Sequence, residues 1–366
     1  MRLLLINTTC GSGSTGRICL DIAREYEKIG YEVRIAYGRE PVADISKQYA
    51  VRIGNDFDFK LHAALSRFFD NQGLNSKYTT MKFLEWAENF NPDIVWLHNI
   101  HGYYLNYIEL FNWIKSRHNM KTIWTLHDCW AFTGHCSYFT MAKCDKWMTG
   151  CKGCNHKDLY PRSFLLSCSE NNYLLKKKSF TGVDCMQIIT PSQWLADLVK
   201  KSFLQEYEVI VNHNRIDKSV FCYKDSDFRE RYGLVGKKII LGVADGFGKR
   251  KGLLDFIMLS KMLPSDYTIV LVGLSDKEFK LIPSNIVGIK RTRNVSELVN
   301  IYSAADVFVN ATYEDNYPTT NLEAQACGTP CLTYRSGGSP ESVPFNNIID
   351  TGDINTLYEK IISITS

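Results

Sequence analysis

At 366 residues the chain is too long for one hydrophobic core and long enough for two. Hydrophobic residues at 45%, charged residues at 22% and a formal net charge of +4 exclude a disordered chain and give no basis for a nucleic-acid surface. No apolar run is long enough to span a bilayer, and the one after Arg2 in MRLLLINTTCGSGSTG is too short for a signal-peptide core. A cytoplasmic protein is therefore expected, its 12 cysteines serving as thiols or metal ligands in preference to disulfides.

Short β-rich runs alternate with helical patterns. RLLLIN at 2–7 is followed by a helix from Thr15, VRIAYG at 33–38, helices around 60–88, DIVWLHN, and the helix YLNYIELFNWIKSR. KTIWTLH at 121–127 leads into a long irregular insert, then a basic helix NYLLKKKSF, the strand QIITP and the helix SQWLADLVKKSF. The pattern restarts after YEVIVNHNRID with KKIILGVA, GLLDFIMLSKML, YTIVLVG, NIVGIK, VSELVNIYSAA, DVFVNAT, TTNLEAQAC, CLTYR and INTLYEKIISI. Strands alternating with helices specify parallel sheets covered on both faces, hence an α/β chain of two doubly wound domains. The polar NHNRID interrupts the periodicity, so the domains are drawn as 1–213 and 214–353, with the helix at 354–366 allowed to join the first. Ligands are expected beyond the carboxyl ends of the strands.

GSGSTG at 11–16 follows a strand, opens a helix and fits G-x-G-x-x-G, a pattern that sets a pyrophosphate on a helix N-terminus. A dinucleotide loop would have an acid at the end of the second strand, where AYGREP offers Arg39 and a late Glu40. The loop reads equally as a tight strand-to-helix turn capped by Ser14 or Thr15.

In EDNYPTTNLEA, Pro318 with Thr319 or Thr320 marks a helix start. Glu323 falls about one turn in, and Asp315 stands eight residues earlier in the preceding loop. Two carboxylates beside a phosphate-binding helix end suit hydroxyl donors, and a sugar nucleotide has vicinal diols on both sugars. Upstream, DGFGKRKGLLDF places Lys249, Arg250 and Lys251 in a Gly-flanked loop, where cations would neutralise a diphosphate leaving group. Each feature also has a structural reading, as dipole compensation or a solvated basic turn. Together, with Gly337-Gly338 before Glu341, they indicate a site.

These residues resemble family 4 of the retaining glycosyltransferases, over essentially the whole chain. The resemblance rests on GSTGR, PDIVWLHN, TLHD, TPSQWLA, NRID, KRKG and above all EDNYPTTNLEAQACGTP followed by the double glycine and Glu341. It implies the GT-B fold, two Rossmann-like domains facing a central cleft, and sugar transfer from a nucleotide diphosphate with retention and no required metal or cofactor. The last stretch is similar to the family's pair of acids, with Asp315 in place of a Glu for the donor sugar's hydroxyls and Glu323 for the ribose. Lys251 matches the diphosphate Lys, but the family's Arg position is Gly246, so Lys249 or Arg250 is expected to compensate. His127 in TLHD matches a His that approaches the donor sugar. The resemblance thus gives His127, Asp315 and Lys251 as catalytic, and Gly13, Thr15, Gly16, Lys249, Arg250, Lys251, Asp315, Asn316, Tyr317, Thr319 and Glu323 as donor-binding. His98, Asp128, Glu314 and Glu341 are further candidates. A UDP-sugar is favoured over a GDP-sugar, and the acceptor is expected to be a glycan or lipid-linked glycan of bacterial capsule, O-antigen or exopolysaccharide. Two alternatives stand beside this reading: an NAD(P)- or FAD-dependent oxidoreductase using GSGSTG, and a non-catalytic sugar-nucleotide binder.

The insert HCSYFTMAKCDKWMTGCKGC contains Cys136, Cys144, Cys151 and Cys154 within nineteen residues. They are read either as ligands of one structural zinc or as reduced thiols packed as small apolar groups. The stretches FKLHAALSRFF and YLLKKKSFTG join apolar and basic residues, as peripheral contact with an anionic inner membrane would require.

Overall fold

A computed structural model describes residues 1–39, 42 and 44–366, so Glu40 lies outside the described residues. The chain divides into two compact units, Met1–His213 and Asn214–Ser366.

In the first unit the strands are β1 (Arg2–Asn7), β2 (Glu32–Tyr37), β3 (Ala50–Arg52), β4 (Ile94–Leu97), β5 (Lys121–Thr125), β6 (Met186–Thr190) and β7 (Glu208–Val211). Its helices are α1 (Gly13–Lys28), α2 (Asp56–Phe69), α3 (Lys77–Phe90), α4 (Tyr107–Lys115), α5 (Ser169–Phe180) and α6 (Gln193–Val199). The parallel sheet runs β3-β2-β1-β4-β5-β6-β7, reversing direction between β1 and β4. Burial on both faces follows from strand periodicity: Leu4 and Ile6 join the core on one side, Leu3 and Leu5 the core on the other.

The second unit repeats the plan with β8 (Lys238–Val243), β9 (Tyr267–Val272), β10 (Ile286–Ile289), β11 (Val307–Asn310), β12 (Cys331–Tyr334) and β13 (Ile348–Ile349). Its helices are α7 (Phe228–Arg231), α8 (Leu253–Leu259), α9 (Asp276–Phe279), α10 (Val295–Ala304), α11 (Thr319–Ala326) and α12 (Ile354–Thr365). The order β10-β9-β8-β11-β12-β13 reverses between β8 and β11. In β8, Ile240 faces one core while Ile239 and Leu241 face the other.

Several sequence expectations change. The first helix opens at Gly13 with Ser12 at its N-cap, ahead of the Ser14 or Thr15 expected. The C-terminal helix, allowed to the first domain, belongs to the second unit, because Leu357 and Ile361 are buried in the core beside Leu253 and Phe256. The short edge strands β3 and β13 and the four-residue α9 were not anticipated. Among the described residues no helix is long and apolar enough to cross a membrane.

The basic helix α5 turns one cation inward. Lys176 is buried, and its Nζ donates to the carbonyls of Trp130 (2.7 Å) and Thr133 (3.0 Å) while lying 3.5 Å from the Trp130 ring centroid. Burial lowers its pKa from 10.5 to about 7, against the smaller opposing pull of Cys151 and Asp70. Between those two values the unfolded chain binds a proton that the folded chain does not, so stability rises with pH there. Relative to Lys176→Met, the wild type should gain up to about 1.4 kcal/mol per pH unit between pH 7 and 9 in chemical denaturation. A pH-independent difference would contradict the burial-driven shift.

Candidate functional site

The second unit brings its predicted residues together at the reversal of strand order. The loop after β8 contains Lys249–Lys251 as a 3₁₀ turn, and the loop after the adjacent β11 contains Glu314 and Asp315. Lys251 Nζ and an Asp315 carboxylate oxygen form a short ion pair, both side chains mostly withdrawn from solvent. Burial pushes the Asp315 pKa up, but Lys251 and Arg250 outweigh it and hold the carboxyl below its ordinary value. Lys251 is lowered by the same burial, opposed by Asp315. Arg250 Nη1 donates to the Glu314 carbonyl at 2.7 Å, and the Arg250 carbonyl accepts from Tyr313 N–H at 2.8 Å. Arg250 is thus the second cation of the cluster, where Gly246 stands at the position of the family's Arg; Lys249 is exposed.

Glycines make the close approach possible. At Gly252 (φ +71) a Cβ would sit 2.3 Å from the Ala311 carbonyl oxygen, which seats the basic loop on the end of β11. Gly337 (φ +55) has the same role toward the acid, since its Cβ would lie 1.9 Å from the Asp315 carbonyl oxygen, while Gly338 N–H donates to that oxygen at 3.2 Å. The double glycine therefore fixes Asp315 from below. Glu278 of the unanticipated α9 accepts from Gly248 N–H at 2.5 Å and steadies the other loop.

Glu323 lies on α11, 2% exposed, accepting from Tyr302 Oη at 3.0 Å. Asn316 and Tyr317 are buried in the loop that precedes α11, and Thr319 is half-buried as the first residue of that helix. Pro318 occupies the N-cap without a side-chain hydrogen bond to the first turn. Glu314 is buried, whereas Glu341 is exposed in a separate 3₁₀ turn.

A buried polar network that sequence reasoning missed braces α11. Asn310 Nδ2 donates to Asn321 Oδ1 (2.8 Å), Asn321 Nδ2 donates to Ser342 Oγ (2.8 Å), and Thr333 and Ser339 hydroxyls share a 2.7 Å bond. An Asn on the last position of β11 and another on the third of α11 were the available signal.

The remaining predicted residues belong to the first unit. Gly13, Thr15 and Gly16 form the start of α1, where Asn7 Nδ2 donates to the Thr9 carbonyl at 2.8 Å and Gly11 N–H to the Gly16 carbonyl at 3.1 Å. A Cβ on Gly16 would lie 2.6 Å from Thr9 Oγ1, so this glycine serves close packing of the helix on the loop. His98 and His127 follow β4 and β5, with His98 Nδ1 3.0 Å from His127 Nε2. Burial drives both rings neutral, His127 to about 4, so one donates and the other accepts. Asp128 accepts from Trp130 N–H at 2.9 Å and lies 3.0 Å from His101 Nε2.

Cys136, Cys144, Cys151 and Cys154 line one small pocket with Phe139, Lys146 and Trp147. Among the described residues no group of three or more His, Cys, Asp or Glu is arranged to hold a metal ion. Cys136 and Cys151 are buried, and burial pushes their thiols up, Cys151 to about 11, as packed neutral groups require.

Sequence and structure comparisons add to this geometry. A sequence model of Glycosyltransferase Family 4 matches residues 15–220, and one of Glycosyl transferases group 1 matches residues 224–366. The chain is 24% identical over 358 residues to WcaC of Escherichia coli (strain K12), whose name places it as a glycosyl transferase of colanic acid biosynthesis; 93% of this chain and 85% of the relative are covered. It is also 24% identical over 208 residues to the capsular polysaccharide biosynthesis glycosyltransferase CapM of Staphylococcus aureus, covering 52% of this chain and 54% of that one. Among solved structures, sucrose-phosphate synthase from Thermosynechococcus elongatus superposes with a TM-score of 0.72 at 16% identity, covering 99% and 89% of the two chains. Anabaena Alr3699/HepE in complex with UDP and glucose gives 0.66 at 14% identity, over 99% and 89%. At these identities the structural likeness is one of fold, the two Rossmann-like domains of GT-B.

Gly337→Ala should force Asp315 out of place and destabilise the chain by about 1–3 kcal/mol in thermal or urea unfolding. Wild-type stability in this variant would show that the loop accommodates a Cβ and does not depend on the contact.

Proposed function

The chain belongs to Glycosyltransferase Family 4, and on that premise we propose that it is a retaining transferase drawing on a sugar nucleotide bound by the second unit. The Lys251–Asp315 pair at the reversal of the second sheet carries the reading, since one ligand with a diphosphate and a sugar would engage both charges. Lys251 and Arg250 are assigned to the diphosphate, Asp315 to the sugar hydroxyls and Glu323, with Asn316, Tyr317 and Thr319 around it, to the nucleoside end. The first N–H groups of α11 lack a side-chain cap and are available to phosphate oxygens.

In the proposed transfer the bond from the anomeric carbon to the diphosphate breaks on the way to an oxocarbenium-like state. The leaving oxygens, neutralised by the two cations, then take the acceptor hydroxyl's proton as the new bond forms on the same face. His127, neutral and held by His98, is assigned to a sugar hydroxyl as a hydrogen-bond partner and not as a cation. The loop of Gly13, Thr15 and Gly16, at the reversal of the first sheet, is assigned to substrate as well. A UDP-sugar is favoured because the Anabaena protein of the same fold is held with UDP and glucose. The names of WcaC and CapM support a glycan acceptor in surface polysaccharide synthesis. Family membership removes the oxidoreductase reading of the glycine loop.

Two substitutions separate the acids. Glu323→Gln should weaken UDP binding about 10- to 100-fold in calorimetric titration, the worth of a charged hydrogen bond. Asp315→Asn should retain or tighten UDP binding, because Lys251 is released to the phosphates, while lowering transfer by about 100-fold or more. Equal weakening of UDP binding by both would overturn the assignment. Wild-type binding of UDP-sugar without turnover toward any glycan acceptor would leave a non-catalytic binder.

A further inference from the structure

The carboxyl edge of the first sheet is closed by loops that touch one another. Thr8 Oγ1, after β1, donates to the Asn99 carbonyl after β4 at 3.0 Å, and the Thr8 carbonyl accepts from Gly38 and Arg39 N–H after β2, both at 3.1 Å. A Cβ on Gly38 would lie 2.0 Å from Tyr104 Cβ, and one on Gly102 2.7 Å from Thr8 Oγ1, so glycine alone permits these contacts. The three loops meet where the strand order reverses, the place where open sheets of this kind hold ligands. Tyr103 stands in this junction with φ +65, a conformation that bulky side chains avoid and that clusters at ligand sites.

The buried Tyr103 ring gathers groups from separate segments. The Phe59 and His62 rings of α2 lie 6.2 and 5.9 Å from it, and Arg39 Cζ is 6.0 Å from the Phe59 centroid. Burial pushes the Tyr103 phenol up, opposed by Arg67, Arg39 and Gln72 beside it. Gln72 is 7% exposed, and neither its Nε2 nor its Oε1 makes a hydrogen bond of ordinary geometry. Buried polar atoms are almost always satisfied, so an idle amide beside two guanidiniums points to a ligand that completes it.

The donors define the charge of that ligand. His62 is not a cation: its Nε2 accepts from Gly73 N–H (3.2 Å), its Nδ1–H donates to Ser76 Oγ (2.8 Å), and burial holds the ring neutral with a pKa of about 3. Asp56 pairs with Arg52, and Asp58 accepts from Asn55 N–H at 3.0 Å, so both acids at the start of α2 are engaged there. Arg39 is half-buried and supplies a withdrawn charge, while the exposed Arg67 adds one at the rim. One withdrawn guanidinium beside a neutral phenol and amide suits a single negative charge spread over two coplanar oxygens, which is a carboxylate. A phosphate dianion would bury a second charge against neutral groups. The half-buried Phe59 ring adds a π-face on which the C–H groups of a sugar can rest.

We infer that Arg39, Arg67, Gln72 and Tyr103 form a subsite for a carboxylate, and that the glycan received by the first unit bears an acidic sugar of the uronate class. This deepens the reading of a glycan acceptor and rests on it. The test is a ligand-observed NMR titration of the full chain with methyl glucuronide, methyl glucoside and glucose 6-phosphate, with UDP affinity measured by calorimetry on the same samples. Methyl glucuronide should bind at least about fivefold tighter than methyl glucoside. Arg39→Gln and Arg67→Gln should each erase most of that preference while the affinities for glucoside and UDP hold. Tyr103→Phe, which keeps the ring, should reduce the preference by about two- to fivefold. A preference that survives both arginine substitutions, variants that weaken both glycosides alike, or tighter binding of glucose 6-phosphate than of the glucuronide would overturn the inference. Glucoside bound as well as glucuronide would overturn the subsite and leave the glycan reading in place; no sugar bound while UDP binds would overturn both.

Discussion

The second unit is organised around an ion pair formed by residues far apart in sequence. Lys251 and Asp315 come from loops after β8 and β11, which adjoin only because the strand order reverses between them. Neither charge is comfortable where it sits: burial lowers the pKa of Lys251 and pushes that of Asp315 up, and each is held charged by the other. A pair of this kind is a poor source of stability and a good receptor for a ligand that presents an anion to one partner and hydroxyls to the other.

The surroundings keep the pair in place at the cost of backbone freedom. Gly252 and Gly337 adopt positive φ where a side chain would strike the neighbouring loop, so the two loops approach to a distance that other residues forbid. Asn310, Asn321, Thr333, Ser339 and Ser342 satisfy one another beneath α11, which fixes the helix that contains Glu323 without filling the space with apolar groups. Tyr302 likewise gives Glu323 a partner in the absence of ligand.

Much of this was legible in the sequence, for physical reasons. Strands buried on both faces read as unbroken apolar runs, so β1, β8 and β9 stand out, whereas the edge strands β3 and β13, three and two residues long, leave no such trace. The acids of EDNYPTTNLEA and the cations of KRKG were legible as types at spacings, but their pairing across 64 residues was not. Arg250 could not be chosen over Lys249 until one side chain was seen inward and the other exposed. In the cysteine insert the spacing showed four thiols close in sequence, but not that the fold gathers them on one pocket with Phe139 and Trp147. On α2 the buried side is His62, Ala63 and Ser66 while Phe57 and Leu61 are exposed, which the sequence hid because periodicity shows that a helix has an apolar face but not which way that face is turned.

The most direct test of the account is a calorimetric titration of wild type and Lys251→Met with nucleoside diphosphates and the matching monophosphates, UDP with UMP and GDP with GMP. If Lys251 holds the terminal phosphate of the diphosphate, the wild type should prefer the diphosphate of its base, and the variant should bind diphosphate and monophosphate about equally. A preference that survives the substitution would place the diphosphate elsewhere and contradict the assignment on which the proposed transfer depends.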